Sequence, residues 1–217
     1  MTLYKGNSKI QDRGDYGVYY GSTPITDIYH GSDLVYQWQP YNPDAVLINS
    51  AGEVTETITL PKGVYYIEIT GGGGRSSLNA PQYPQLWFTC GGGSGASVYG
   101  EFYLPESKTL TLYGAPERGV SYLEINGTRI ITANNGGSSY NDAPGGTGSI
   151  TENGLITNIS VTVHTGNAGT TGAAGGGHAG ASVSPNGWGK GGEPTNTAVF
   201  VNGDAGGIYL QYKRRKP

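Results

Sequence analysis

The stretch that decides the fold class is residues 54–74, which read VTETITLPKGVYYIEITGGGG. Ile58 and Leu60 alternate with polar residues before a Pro-Lys-Gly turn, and a second apolar run follows from Val64 to Ile69. Alternating apolar residues bounded by proline and glycine predict two strands joined by a short turn. Four glycines follow directly, so the chain passes from a strand pattern into a segment that has no side chains to bury.

The same strand signals recur along the rest of the chain. Two strands are predicted within residues 96–115, ASVYGEFYLPESKTLTLYGA, and the dipeptide Asn126-Gly127 predicts a hairpin turn. Further strands are predicted within residues 154–166 and 206–214. No segment of the sequence has the 3.6-residue apolar period and the capping residues of a helix. The chain is therefore predicted to be all-β, with a β-sandwich-like, glycine-rich domain over residues 54–217.

Glycine makes up 39 of the 217 residues, and its spacing predicts how the glycine-rich segments pack. Within residues 166–177, GNAGTTGAAGGG, glycine occurs at 166, 169, 172 and 175. An extended helix with three residues per turn places every third residue on one edge, and glycine on that edge lets neighbouring backbones approach closely. The spacing indicates packed segments of the polyglycine II type. The alternative is a set of ordered but irregular loops.

The first 40 residues differ in composition from the rest. The fragment VYYGSTPI, residues 18–25, is echoed by IYHGSDLV, residues 28–35, with Gly-Ser at the same place in each. Short apolar and aromatic runs separated by glycine predict a small β-module over residues 1–40. Residues 41–53 begin with YNPDA, which together with the preceding proline favours a linker between this module and the domain at 54–217.

Composition and charge disfavour several classes of protein. The net charge is −3, which provides no strong field for nucleic acid. No stretch is long and apolar enough to insert into a membrane, and the N-terminus has no apolar signal core. Cys90 is the only cysteine, so no intrachain disulfide can form. These features favour a protein that is made in the cytoplasm and then assembled into a larger structure.

The sequence contains no readable catalytic or cofactor site. Gly91 and Gly93 have a dinucleotide-like spacing, but a strand-like segment follows where the motif needs a helix. A phosphate-binding loop needs Ser or Thr after Lys190, and Gly191 stands there instead. The histidines lie far apart, and no His, Cys or carboxylate cluster has metal-ligand spacing. We therefore expect no enzyme activity, no cofactor and no metal.

Four blocks, taken in order, resemble the glycine-rich domain of phage tail-fibre and virion proteins. They are TITLPKGVYYIEITGGGG, GGGSGASVYGEFYLPESKTLTLYGA, YLEINGTRIITANNGG and GDAGGIYLQYK, and the resemblance extends over roughly residues 54–212. The alternation of glycine-rich and variable segments is also similar to that of the tip adhesins of T-even-like phages, which carry receptor-binding loops on polyglycine helices. This chain has fewer and shorter glycine runs than those adhesins. The segment within residues 1–40 is similar to short β-modules of phage structural proteins.

The resemblance implies a virion surface protein, a tail fibre or tip adhesin, that binds a host surface glycan or outer-surface protein. It also implies an oligomeric assembly in which residues 1–40 attach the chain to other virion proteins. The alternative is a structural decoration or assembly protein that binds no receptor. Aromatic residues bordered by glycine, serine and asparagine are the candidate receptor-binding residues, because such side chains form adaptable contact surfaces. They are Tyr83, Trp87, Tyr140 and Trp188, the last two in loops 138–144 and 181–190. For Trp87 in particular, the alternative is packing against the glycine segments or a sister subunit.

Overall fold

The computed structural model describes residues 45–79, 88–138, 143–151, 154–173, 177–194 and 200–214, together with seven short strands before residue 45. No α-helix occurs in these ranges, and the all-β prediction is confirmed. The seven early strands pair only among themselves, as β1 with β2, β3–β4–β5, and β6 with β7. Their bounds are β1 Tyr4–Lys5, β2 Ser8–Lys9, β3 Gln11–Asp12, β4 Val18–Tyr20, β5 Thr23–Ile25, β6 Asp27–His30 and β7 Asp33–Gln37.

Two large antiparallel sheets form most of the strand structure after residue 45. The strands of the first sheet are β8 Val46–Ala51, β10 Gly63–Thr70, β13 Ser97–Leu104, β18 Thr157–Asn158, β19 Thr162–His164 and β21 Gly207–Arg214. Their order is β18–β13–β10–β21–β8, and β19 also pairs with β13. The second sheet consists of β9 Val54–Leu60, β14 Lys108–Gly114, β15 Ser121–Ile125, β16 Thr128–Ala133 and β17 Gly148–Ile150. Its order is β17–β16–β15–β14–β9.

The two sheets enclose one apolar core, as a β-sandwich does. Along β10, Tyr65, Ile67 and Ile69 are fully buried and belong to the same hydrophobic cluster as Leu112 of β14 and Leu123 of β15. Because successive side chains of a strand point to opposite faces, the alternate residues of β10 lie on the outer face of the first sheet. That outer face becomes important for the candidate site.

Two local predictions can be compared directly with the structure. The turn at Asn126 and Gly127 joins β15 to β16, and both residues have positive φ, 52° and 73°, as a two-residue hairpin turn requires. The predicted linker 41–53 contains β8, which pairs with β21 and buries Ile48 in the core. Residues 46–51 of the predicted linker therefore form the edge strand of the first sheet.

The glycine-rich segments pack side by side at one end of the sandwich. Segment 91–96 is at their centre, and its amide groups donate hydrogen bonds in a repeating pattern. Gly91 and Ser94 donate to segment 166–170, Gly92 and Gly95 to segment 189–192, and Gly93 and Ala96 to segment 134–137. Every third amide thus points to the same neighbour, which is the period of an extended helix with three residues per turn.

The carbonyl groups of the central segment bind a second set of neighbours. Ala96 and Gly93 accept from segment 71–74, Ser94 from segment 143–146, and Gly92 from segment 177–180. Six segments therefore surround segment 91–96, and we call these seven segments the glycine bundle. A Cβ atom built on Gly92, Gly93 or Gly95 would overlap a backbone carbonyl of a neighbouring segment. The packed-segment interpretation describes these runs, and the irregular-loop alternative does not.

The period-three stretch 166–177 belongs to the bundle only in its first part. A Cβ atom on Gly166 or Gly169 would overlap the carbonyl of Ser94 or Gly91, so these two glycines line a packed edge as predicted. The chain then enters β20 Thr171–Ala173, which pairs with β12 Phe88–Cys90, itself paired with β11 Ser77–Asn79. Gly172 is opposite Thr89 in that ladder, and Gly175 lies outside the described residues.

Candidate recognition surface

The glycine bundle has two ends that differ in what they carry. At the sheet end, segments join the large strands directly: Gly71 follows β10, Ala96 precedes β13, and Asn134 follows β16. At the opposite end, which we call the loop end, the bundle connects to 75–90, 138–142, 171–176 and 193–200. The assignment of these connections to the loop end follows from the hydrogen bonds between antiparallel segments, which place Gly74 beside Gly93 and Gly71 beside Ala96. One connection, 181–188, leaves from the sheet end instead.

Three of the four predicted receptor-binding residues, Tyr83, Trp87 and Tyr140, lie outside the described residues. The residues that flank them are described and belong to the loop end. β11 and β12 flank the first two, and Ser138, whose hydroxyl accepts a hydrogen bond from the Arg75 amide at 2.7 Å, precedes the third. Loops 138–144 and 181–190 therefore start from opposite ends of the bundle.

Trp188 is described, and its ring packs on the first sheet. A Cβ atom built on Gly207, the first residue of β21, would lie 2.5 Å from Trp188 Cδ2, so the indole covers this glycine. The Trp188 amide donates to the Ser184 hydroxyl at 3.2 Å, and the Ser182 hydroxyl donates to the Trp188 carbonyl. The ring is partly buried against strand backbone, and loop 181–190 is anchored at the sheet end.

Glu68 is the residue that holds this loop on the sheet. It lies on the outer face of β10, yet it is fully buried. Its carboxylate accepts hydrogen bonds from the Ser184 hydroxyl, from the Asn186 side-chain amide at 2.6 Å, and from the Thr70 hydroxyl at 3.3 Å. The Asn186 backbone amide donates to it at 3.4 Å. Sequence reasoning did not single out Glu68, because Ser184 and Asn186 lie more than 100 positions away in the chain.

Next to Glu68, the outer face of the first sheet carries a group of aromatic rings. We call Tyr66, Tyr99, Tyr209 and His164 the tyrosine face. Tyr66 and Tyr209 meet edge to face with ring centroids 6.0 Å apart, and Tyr99 stacks on His164 at 4.2 Å with nearly parallel planes. Burial, and then the charge of Glu68, raise the pKa of Tyr66 to about 12. All four side chains remain partly exposed.

Sequence reasoning did not identify this face as a site. Tyr66 was counted with the apolar side of its strand, whereas the structure places it opposite Gln211 on the outer side. Each of these tyrosines is in a different strand, so their proximity depends on the pairing of β13, β10 and β21. The available signal was the alternation itself, because Tyr66 and Tyr99 fall out of phase with the core residues of their strands.

The side chains of Glu68 and of the tyrosine face are suited to non-covalent binding of a ligand. The hydrogen-bonding capacity of the Glu68 carboxylate is taken up by donors of the protein, which leaves rings, hydroxyls and amides to face a ligand. Within the described ranges, no group of three His, Cys, Asp or Glu residues could hold a metal ion. The same ranges include no helix with the length and hydropathy needed to cross a membrane.

No protein-family model matches the chain, and no curated protein is significantly similar to it in sequence.

Proposed function

We propose that this chain is a bacteriophage virion surface protein, of the tail-fibre or tip-adhesin type, that binds a polymer or protein on the host cell surface. The observation that carries the proposal is the glycine bundle, in which six segments surround one and hold the bases of several connections at the loop end. Binding residues commonly lie on loops that a rigid scaffold positions. A frame of this kind reduces the ordering cost of binding.

The loop end is tied together by backbone contacts that are independent of side-chain identity. Ser76 donates its amide hydrogen to the Val201 carbonyl at 2.8 Å, and Thr170 donates to the His178 carbonyl at 2.8 Å. The first contact joins the bases of two different connections, and the second joins the two ends of connection 171–176. Loop sequences can therefore change without disturbing the frame, which suits a surface that must match different receptors. The described residues that flank the candidates Tyr83, Trp87 and Tyr140 in the chain lie at this end.

The test is to locate the chain on the virion and to measure its binding to cells. Gold-labelled antibody against the chain should mark the distal tail of the virions that carry it. The purified full chain should bind host cells and slow adsorption of those virions. Label over the capsid, with no binding of the chain to cells, would instead support a decoration protein.

The role proposed for residues 1–40 is attachment to other virion proteins. The supporting observation is that β1 to β7 pair only among themselves, while β8 belongs to the first large sheet. A truncated chain that begins at Asp44 keeps β8 and the Ala45 carbonyl, which accepts from the Tyr212 amide at 3.1 Å. We expect this chain to fold and to bind cells, but not to enter virions. Normal incorporation would refute the attachment role.

A further inference from the structure

We propose that the tyrosine face binds an uncharged glycan chain. The inference rests on the proposed function, since it assigns a ligand class and a site to the host polymer. It concerns a surface of the first sheet, separate from the connections at the loop end.

The register of the sheet places the rings in a defined arrangement around Glu68. On one side Glu68 is opposite Tyr99 of β13, and on the other it is opposite Tyr209 of β21. Neighbouring strands lie about 4.8 Å apart, so the two tyrosines start about 10 Å apart across the sheet. Tyr66, two residues before Glu68, is the neighbouring outward-facing residue of β10, and its ring contacts that of Tyr209. The rings therefore form two contacting pairs on this face, Tyr66 with Tyr209 and Tyr99 with His164.

The chemistry of this surface matches that of a sugar ring. A tyrosine or tryptophan side chain offers an apolar ring face together with a polar group at its edge. A pyranose likewise has a face of C–H bonds and a rim of hydroxyl groups. Tyrosines also supply contact area at a low cost in side-chain entropy. Tyr99 is further restricted because it is stacked on His164, whose Nε2 is 2.8 Å from the Thr162 hydroxyl.

The charges of the face select against acidic polymers. Glu68 lies between Tyr99 and Tyr209 in the sheet, buried under loop 181–190, and Glu101 occupies the next outward position of β13 after Tyr99. The ammonium group of Lys213 lies 5.7 Å from the centre of the Tyr66 ring. A polyanion bound here would come close to the Glu101 carboxylate and to the buried Glu68 carboxylate, and like charges brought together at a binding surface cost affinity. An uncharged chain meets no such penalty.

The experiment compares three full-length proteins by affinity electrophoresis in native gels. They are the unchanged protein, the double variant Tyr99→Ala/Tyr209→Ala, and the control Tyr113→Ala/Tyr122→Ala. The control removes a stacked tyrosine pair from the outer face of the second sheet. The gels contain glycogen, mannan, galactan or acidic alginate. We expect at least one neutral polymer to retard the unchanged protein and the control, and the apparent affinity of the tyrosine-face variant to fall about 10-fold or more.

Three results would overturn the inference: no retardation by any neutral polymer, stronger retardation by alginate, or equal losses in the two variants. A change in sedimentation of the tyrosine-face variant alone would mean that a second copy of the chain covers this face, and would also overturn it. Cell binding separates this inference from the proposed function. If the unchanged chain binds host cells and the tyrosine-face variant binds them equally well, the inference fails while the proposed function stands. If the unchanged chain binds no cells and the virions carry no label, the proposed function fails whatever the gels show.

Discussion

The β-sandwich and the glycine bundle are two interiors built by opposite means within one chain. In the sandwich, apolar side chains such as Phe102, Leu112 and Leu123 fill the space between two sheets. In the bundle, the space between segments is filled by the backbones themselves, and a single Cβ atom on Gly93 would overlap the Pro144 carbonyl. One interior requires large side chains, and the other excludes even a methyl group at its glycine positions.

The difference predicts different responses to mutation. Burial of a large apolar side chain contributes about 1.5–3 kcal/mol, and a core can partly relax around a missing one. A backbone hydrogen bond contributes about 0.5–1.5 kcal/mol net, and ordering glycine costs more entropy than ordering any other residue. The bundle therefore depends on many weak contacts being made together. It should tolerate almost no added volume, whereas the sandwich should tolerate modest losses.

The largest effect is expected for Gly93→Ala at the centre of the bundle. The added methyl group can be accommodated only if segments 91–96 and 143–146 separate, which also strains the bond from the Gly93 amide to Gly137. The loss of several buried backbone hydrogen bonds lowers the free energy of unfolding by on the order of 5 kcal/mol. Denaturant titration should show a bundle that is unfolded or destabilised by at least this amount.

The matched control for that variant is Gly187→Ala. A Cβ atom on Gly187 meets nothing within 4 Å, but φ is +79°, so only backbone strain is added. Such strain costs about 1–2 kcal/mol. If Gly93→Ala is no more destabilising than Gly187→Ala, the bundle is not packed through its backbones.

The next largest effect is expected for Phe102→Ala in the sandwich. Phe102 is fully buried, and its ring stacks on Tyr65 with centroids 5.8 Å apart. Truncation of a buried phenylalanine costs about 3–5 kcal/mol. Denaturation followed by tryptophan fluorescence, and by exchange of the bundle amides, shows whether the two interiors unfold together. If the sandwich is destabilised but the hydrogen exchange of the bundle amides stays unchanged, the two interiors unfold independently.

A smaller effect is expected at Glu68, where loop 181–190 is fastened to the sheet. Glu68→Ala leaves the Ser184 hydroxyl and the Asn186 amides without their acceptor. The expected loss is about 1–3 kcal/mol, concentrated in the loop. Hydrogen exchange should accelerate at residues 182–188 and change little in β14 and β15. Unchanged protection of these loop amides would show that the carboxylate does not hold the loop.

The parts of the fold that depend on local signals were predictable from sequence. The Asn126-Gly127 hairpin and the strands on either side of the Pro-Lys-Gly turn needed only alternation and turn residues. The period-three glycines at 166 and 169 indicated close packing correctly. These features were accessible because each is decided within a few residues of chain.

The features that were missed depend on distant partners. Residues 154–166 were predicted as one strand, but residues 159–161 cross close to Gly100, where a Cβ atom would overlap the Ser160 carbonyl, so the strand divides into β18 and β19. Likewise, the network of Glu68 and the tyrosine face form only when separate strands pair. Turn signals before Val46 obscured β8, although Ile48 packs into the core.

The smallest expected effect is a pH dependence on the outer face of the first sheet. Burial and the nearby Glu68 charge raise the pKa of Tyr66 from 10.0 to about 12. Below about pH 10 the folded and unfolded chains both keep this proton, so its contribution to stability is fully present. Between about pH 10 and 12 the unfolded chain loses the proton while the folded chain retains it, so the free energy of unfolding falls as pH rises.

Two measurements on Tyr66→Phe test this assignment. Its decline in stability between about pH 10 and 12 should be shallower than that of the unchanged chain, because the variant has no proton to release there. Its tyrosinate absorbance should also lose a step near pH 12, whereas Tyr113→Phe on the second sheet should keep that step. A step near pH 12 that survives unchanged in Tyr66→Phe would mean that burial and the Glu68 charge do not raise the pKa of this hydroxyl.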